Sequence, residues 1–205
     1  MMTSGLRSLR DKAMTYFEEV MTYQDESCDR LFKVANMLAE QVRRVDREDR
    51  QALSQSGFNF DIFGLIGGQM SRDQEHMLYL LYPQGNWVEV GKGTPYQIIG
   101  STAYGKPVLD RTLKYEDDLR FALKVGCLAF DSTRISAADV DYPIDVVIYS
   151  KAANQLTEHR YHQNDLLDIS EWWQDRLRTS VSDLPAEWID RVFSNVLPAP
   201  EAAKR

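Results

Sequence analysis

Apolar side chains recur every three or four positions at Cys28, Leu31, Phe32, Ala35, Leu38, Val42 and Val45. That spacing lines one face of an α-helix. Lys33, Glu40, Arg43, Arg44, Arg47 and Glu48 fall on the far side as a solvated face. A shorter helix precedes it, Arg7 to Val20, free of Gly and Pro, with Ser4 positioned as its cap. The period then shortens. Phe60 to Ile66, Met77 to Tyr82 and Trp87 to Val90 are brief aromatic or β-branched runs. Gly67-Gly68 and Pro83-Gln84-Gly85-Asn86 separate them as turns, so the stretch predicts a hairpin meander. MLYLLY is apolar at every position, which predicts cover on both faces of its strand.

Helical spacing returns over Ser101 to Leu113, where Pro107 must occupy a first turn or kink the helix. It continues from Asp117 to Thr133. Ile144 to Ser150 and Thr157 to His162 predict a second strand pair, and Leu166 to Val181 a last helix. The tail PAPEAAKR is expected to fray. Strands grouped between helices, rather than alternating with them, predict an α+β fold with an antiparallel sheet faced by helices. On this reading the two opening helices have no strand before them to pack against.

The chain has 205 residues and a 23.6 kDa mass, within reach of one self-supporting core. A hydrophobic share of 43% with 27% charged residues excludes compositional disorder. No apolar run approaches the ~18 residues that span a bilayer, and the start lacks the apolar stretch of a secretory signal. These features predict no membrane partner. Two cysteines, Cys28 and Cys127, cannot frame a disulfide scaffold, which favours a cytoplasmic setting. A net charge of −7 argues against nucleic acid, whose binding needs phosphate neutralisation.

Several chemical motifs fail on spacing. Gly91-Lys92-Gly93-Thr94 lacks the Ser or Thr that follows the Lys of a phosphate loop, and reads as a hairpin turn. His159 and His162 lie three apart in a predicted strand, so they point to opposite faces and complete no metal site. No cofactor is expected. Cys127 reads as core packing, and so do Trp172 and Trp173. Two segments hold more interest. Ile98-Ile99-Gly100-Ser101 reads as a strand end entering a helix start, where amides stabilise negative charge; simple capping by Ser101 explains it equally. The loop through Asp131, Ser132, Ser136, Asp139 and Asp145 is rich in hydroxyls and carboxylates, and an ordinary helix end accounts for it as well.

Taken together, the chain resembles the bacterial proteasome-related peptidases called Anbu, a branch of the N-terminal-nucleophile (Ntn) hydrolases. The matching stretches are Thr3 to Lys12, Gly67-Gly68-Gln69, Tyr82 to Trp87, Ile99-Gly100-Ser101, Tyr104 to Arg111, Leu128 to Thr133 and Pro143-Ile144-Asp145. They run in order from Thr3 to about Leu184. The resemblance implies a proteasome-subunit-like αββα sandwich over residues 1–184, with 185–205 as a C-terminal extension. It implies a threonine peptidase acting on peptides or unfolded proteins inside a homo-oligomeric ring or helical stack. The family's nucleophile is an N-terminal threonine whose own α-amino group takes the proton, tuned by a lysine and an aspartate on early strands.

By the same match, Ser101 takes the place of the serine beside the nucleophile, while Ser136 and Asp139 take those of the amine's other polar partners. Gly5 and Arg7 flank the substrate side-chain pocket. The family sets several strands before the helix that opens Thr3-Ser4-Gly5-Leu6, and this sequence starts at that helix. The resemblance therefore implies a sandwich lacking its N-terminal strands, without the catalytic threonine and inactive alone. A non-catalytic assembly or ring-capping subunit is the alternative. Either way, uncovered apolar surface predicts an isolated chain that is marginal, insoluble or oligomeric.

Overall fold

The computed structural model describes residues 1–23, 28–91, 93–150 and 155–193. They form two compact units, Met1–Val140 and Asp141–Arg205. The first opens with a strand that periodicity did not predict, β1 (Met2–Gly5), followed by the helices α1 (Arg7–Thr22) and α2 (Leu31–Gln55). The meander is β2 (Ile62–Gly68), β3 (Met77–Leu81) and β4 (Trp87–Glu89). The four strands form one antiparallel sheet in the order β1-β2-β3-β4. The opening helices therefore do have a strand before them. Four residues carry no readable period; β1 exists because β2 offers it a ladder, from Met2 opposite Leu65 to Gly5 opposite Ile62.

Ser4 consequently lies within a strand and does not cap α1. The N-cap position belongs to Leu6, which makes no side-chain cap. α1 and α2 pack on one face of the sheet, where Leu9, Ala13, Leu31, Ala35, Leu38, Val42 and Val45 meet Ile62, Ile66, Tyr79 and Leu81 in one cluster. Leu80, pointing the opposite way along β3, is buried too, so the all-apolar strand is covered on both faces. Trp87 packs edge-on against Tyr79 at 4.6 Å between ring centroids, and its indole N–H donates to Asn36 Oδ1 at 2.8 Å.

The predicted hairpin turn at 91–94 includes Lys92, outside the described residues, and no strand follows it among the described residues up to Gly105. Val90 still donates to the Leu78 carbonyl, and Thr94 to that of Gly91, but no regular element follows until α3 (Lys106–Thr112). Neither a strand at Ile98-Ile99 nor a helix start at Ser101 is present. Pro107 sits in the first turn of α3, where its missing N–H costs nothing, and this sets the start of the helix at Lys106. α4 (Leu119–Ser136) follows, capped by the Asp118 carboxylate, which accepts from the Phe121 amide at 2.7 Å.

The second unit holds the antiparallel pair β5 (Ile144–Ser150) and β6 (Gln155–Tyr161), then α5 (Gln163–Ser182) and α6 (Glu187–Phe193). Arg160 grips Asp145 across the ladder with two bonds of 2.6 and 2.8 Å. His162 lies past the strand end, at the head of α5, and its amide donates to Asp165. Opposite-face alternation thus does not govern the two histidines. Trp172 is 54% exposed and so is not core, while Trp173 is half-buried. The tail PAPEAAKR, expected to fray, and Lys92 lie outside the described residues. Among those described, no helix is long and apolar enough to cross a membrane.

An ion-pair cluster ties α1 to α2. Lys12 Nζ lies 2.8 Å from Asp49 and 2.7 Å from Glu48, and these bonds, Asp49's foremost, raise the ammonium pKa. Lys12 in turn leads the groups holding the Glu48 carboxyl below its usual 4.5. A lowered carboxylate stabilises fully above its unfolded pKa and loses that support as pH falls through the folded value; a raised amine loses it only at high pH. Stability should therefore hold level between pH 4.5 and 10.5 on account of this cluster and drop below 4.5. Urea midpoints against pH check this, with Lys12→Met expected to make the acid limb shallower.

Gly5 closes β1 at φ +106°, where a Cβ would stand 2.2 Å from the Asp61 carbonyl oxygen. Gly57, at φ +77°, has nothing within 4 Å. Gly5→Ala should cost about 3 kcal/mol or more, and Gly57→Ala only about 1 kcal/mol from backbone strain. Denaturant unfolding of the two variants measures the difference.

Candidate functional site

Although β1 and β4 are opposite edges of the sheet, the irregular segment that follows β4 comes back beside the end of β1. Gly100 adopts φ +84°, and a Cβ there would lie 3.5 Å from Ser4 Cβ. The left-handed turn at Gly100 thus brings Ser101 next to Ser4 and Gly5. α3 and α4 close the opposite side, where Gly105 permits tight packing: a Cβ at that position would sit 2.8 Å from the Ala129 carbonyl. Between these elements lies a cavity of about 470 Å³. Its wall includes Ser4, Gly5, Gly100, Ser101, Thr133, Asp139 and Val140, with an apolar part made by Ile98, Leu109, Ala129 and Phe130.

Three of the five residues singled out in the sequence, Gly5, Ser101 and Asp139, meet in this wall. The other two lie outside it. Ser136 ends α4 as an exposed residue, and Arg7 is exposed in the first turn of α1, paired with Asp11 at 3.3 Å. Thr3, one residue before Ser4, pairs with Gly64 and lines a separate void of about 10 Å³ under the sheet. Alternation along β1 turns it away from its neighbours Ser4 and Met2.

Sequence reasoning missed Ser4, Thr133 and Gly126. Ser4 Oγ is buried without a hydrogen-bond partner, and Thr133 Oγ1 donates to the Ala129 carbonyl at 2.8 Å. Gly126 interrupts the apolar pattern of α4, which was the one available signal. Asp139 is the only ionisable side chain in the described wall; no lysine, arginine or histidine lines it. Asp131, buried nearby in α4, is matched by Arg134 at 2.9 Å. Burial pushes the Cys127 thiol pKa up, which suits an inert packing role. No cluster of three or more metal-ligating side chains occurs among the described residues. The wall can receive an apolar group and hydrogen-bond a polar one. Among its described residues, the side chain that can accept a proton is the Asp139 carboxylate.

Gly126 lines the cavity, and a Cβ there would meet nothing within 4 Å. A glycine inside a helix costs about 0.5–1 kcal/mol relative to alanine. Gly126→Ala should therefore stabilise the chain by about that amount, raising Tm by roughly 1–4 °C. Calorimetry decides; a lowered Tm would mean the space is taken.

No protein-family profile and no curated protein matches the chain. Solved structures do. Anbu from Hyphomicrobium sp. strain MC1 superimposes with a TM-score of 0.79 at 28% identity, over 90% of this chain and 78% of its own. Anbu from Yersinia bercovieri, described as an ancestral beta-subunit, gives 0.78 at 27% identity, over 89% and 80%. The helical assembly of the Anbu complex from Pseudomonas aeruginosa gives 0.79 at 26% identity, over 89% and 78%.

Proposed function

We propose that this chain, which belongs to the Anbu family of proteasome-like subunits, supplies the supporting wall of a threonine-type peptidase site. The observation that carries the reading is the cavity that gathers Gly5, Ser101 and Asp139. Acyl transfer needs an attacking oxygen, an acceptor for its proton and donors for the oxyanion. In this reading Ser101 and Asp139 orient the amine of an N-terminal threonine, and the amides around Gly100 and Gly5 face the developing negative charge. Ser136 serves from the helix end rather than from the wall, and Arg7 from the rim of the substrate path.

The threonine itself belongs to a segment other than those forming the wall. Thr3 does not qualify, because its strand pairing turns it toward a different space. On this reading the wall, without that threonine, does not hydrolyse peptides by itself. The proposal extends to an αββα sandwich, to a peptide or unfolded-protein substrate, to a cytoplasmic setting and to self-association. Exposed apolar residues on α5 and α6, among them Leu177, Val181, Trp188 and Val192, support the last. A wall with no lysine, arginine or histidine among its described residues also favours a second reading, a non-catalytic assembly or ring-capping subunit.

Hydrolysis of a fluorogenic peptide separates the two. The chain alone should give no turnover. Joined to the N-terminal segment of the Hyphomicrobium relative, it should turn over, and Ser101→Ala should then reduce kcat by about 100-fold. Turnover by the unaltered chain, or an indifferent Ser101→Ala, contradicts the first reading; silence in the joined protein favours the second.

A further inference from the structure

Ser101 stands in a segment with no regular secondary structure between Gly93 and Gly105, the kind of backbone that opens first in local fluctuations. Something must hold it if the wall is to keep its shape. Part of the answer is apolar: Tyr96 and Ile98 pack against Leu109, Val125 and Ala129. The rest is polar. Lys106 Nζ donates to both Asp110 carboxylate oxygens, at 2.8 and 2.7 Å, and to Tyr96 Oη at 3.0 Å, while the Tyr96 hydroxyl donates to Asp110. The ammonium also lies 5.6 Å from the centroid of the Tyr96 ring.

Lys106 and Asp110 are one turn apart on α3, and such a surface pair alone contributes only a few tenths of a kcal/mol to its helix. The phenol changes its meaning. Tyr96 lies five residues before Ser101 and Lys106 five after, so the three groups close a loop with Ser101 at its midpoint. Each partner gains from the arrangement: Lys106 and Tyr96 hold the Asp110 carboxyl below its usual range, and Asp110, then Tyr96, raise the Lys106 ammonium.

We propose that Tyr96, Lys106 and Asp110 form a positioning clamp that fixes the Gly100–Ser101 turn in the cavity wall. Its value to catalysis rests on the peptidase reading of Ser101; the clamp itself is measured without turnover. Hydrogen exchange on the whole chain is the test, comparing the parent with Tyr96→Phe, which keeps the ring, and with Asp110→Asn and Asp110→Glu. Tyr96→Phe and Asp110→Asn should speed exchange of the amides at 97–104 by about 3- to 10-fold, the worth of one net hydrogen bond. Amides of α1 and α2 should be unchanged, and Asp110→Glu should restore protection.

Unchanged exchange at 97–104 in Tyr96→Phe overturns the clamp, as does a uniform acceleration throughout Met1–Val140. Should those amides exchange too fast to follow, the thiol-labelling rate of Ser101→Cys in the same backgrounds reads the same 3- to 10-fold difference, and equal rates count against the proposal. A clamp confirmed in a protein that never turns over, even when joined to its relative's N-terminal segment, would refute the peptidase reading and leave this inference standing.

Discussion

β1 ends where it does because Gly5 has no side chain. Its backbone passes so near the Asp61 carbonyl that any Cβ would collide at 2.2 Å, and the next amide, that of Leu6, donates to the same oxygen at 2.9 Å. This close crossing joins the sheet to the start of α1 and sets Ser4 and Gly5 against Gly100. Loosen it and the cavity loses one side. The helices α1 and α2 provide the rigidity behind it, through a dry cluster on the sheet and the Lys12 cluster between them.

The wall that results is chemically one-sided. It has hydroxyls, a carboxylate and turn amides, but no lysine, arginine or histidine among its described residues. In the proposed peptidase reading such a surface orients and stabilises, and the initiating amine is that of an N-terminal threonine brought in from another segment. Under that reading positioning is the wall's contribution, and the proposed support of an irregular loop by Tyr96, Lys106 and Asp110 matters more than its modest energy suggests.

Much of the fold was legible because it is periodic. Six of the seven apolar positions, Leu31 to Val45, fall in α2 while Cys28 precedes it, and the short runs at Phe60, Met77 and Trp87 place the meander to within two residues. β1 was not legible, since Met2-Thr3-Ser4-Gly5 has no pattern of its own and is a strand only because β2 pairs with it. The same four residues misled on Ser4, whose hydroxyl suits a cap but whose backbone is committed to the ladder. Ser101 was expected to open a helix; Pro107 moved that start five residues on. Of the site, Ser101 and Asp139 stood out in local pattern but took their roles from the family resemblance, and Gly5 came from the resemblance alone. Only the fold shows that they share a cavity while Ser136 and Arg7 do not. Gly126 was visible as a break in an apolar helix, without any indication of what the break leaves open.

The most direct measurement is the distance from Ser101 Oγ to the terminal amine of the threonine, in an experimental structure of the chain joined to the N-terminal segment of an Anbu relative. The account predicts that the amine enters the cavity and lies within hydrogen-bond reach of Ser101, about 2.6–3.2 Å or through one water. A threonine seated elsewhere, with the space between Ser101 and Asp139 filled by other side chains, would contradict it.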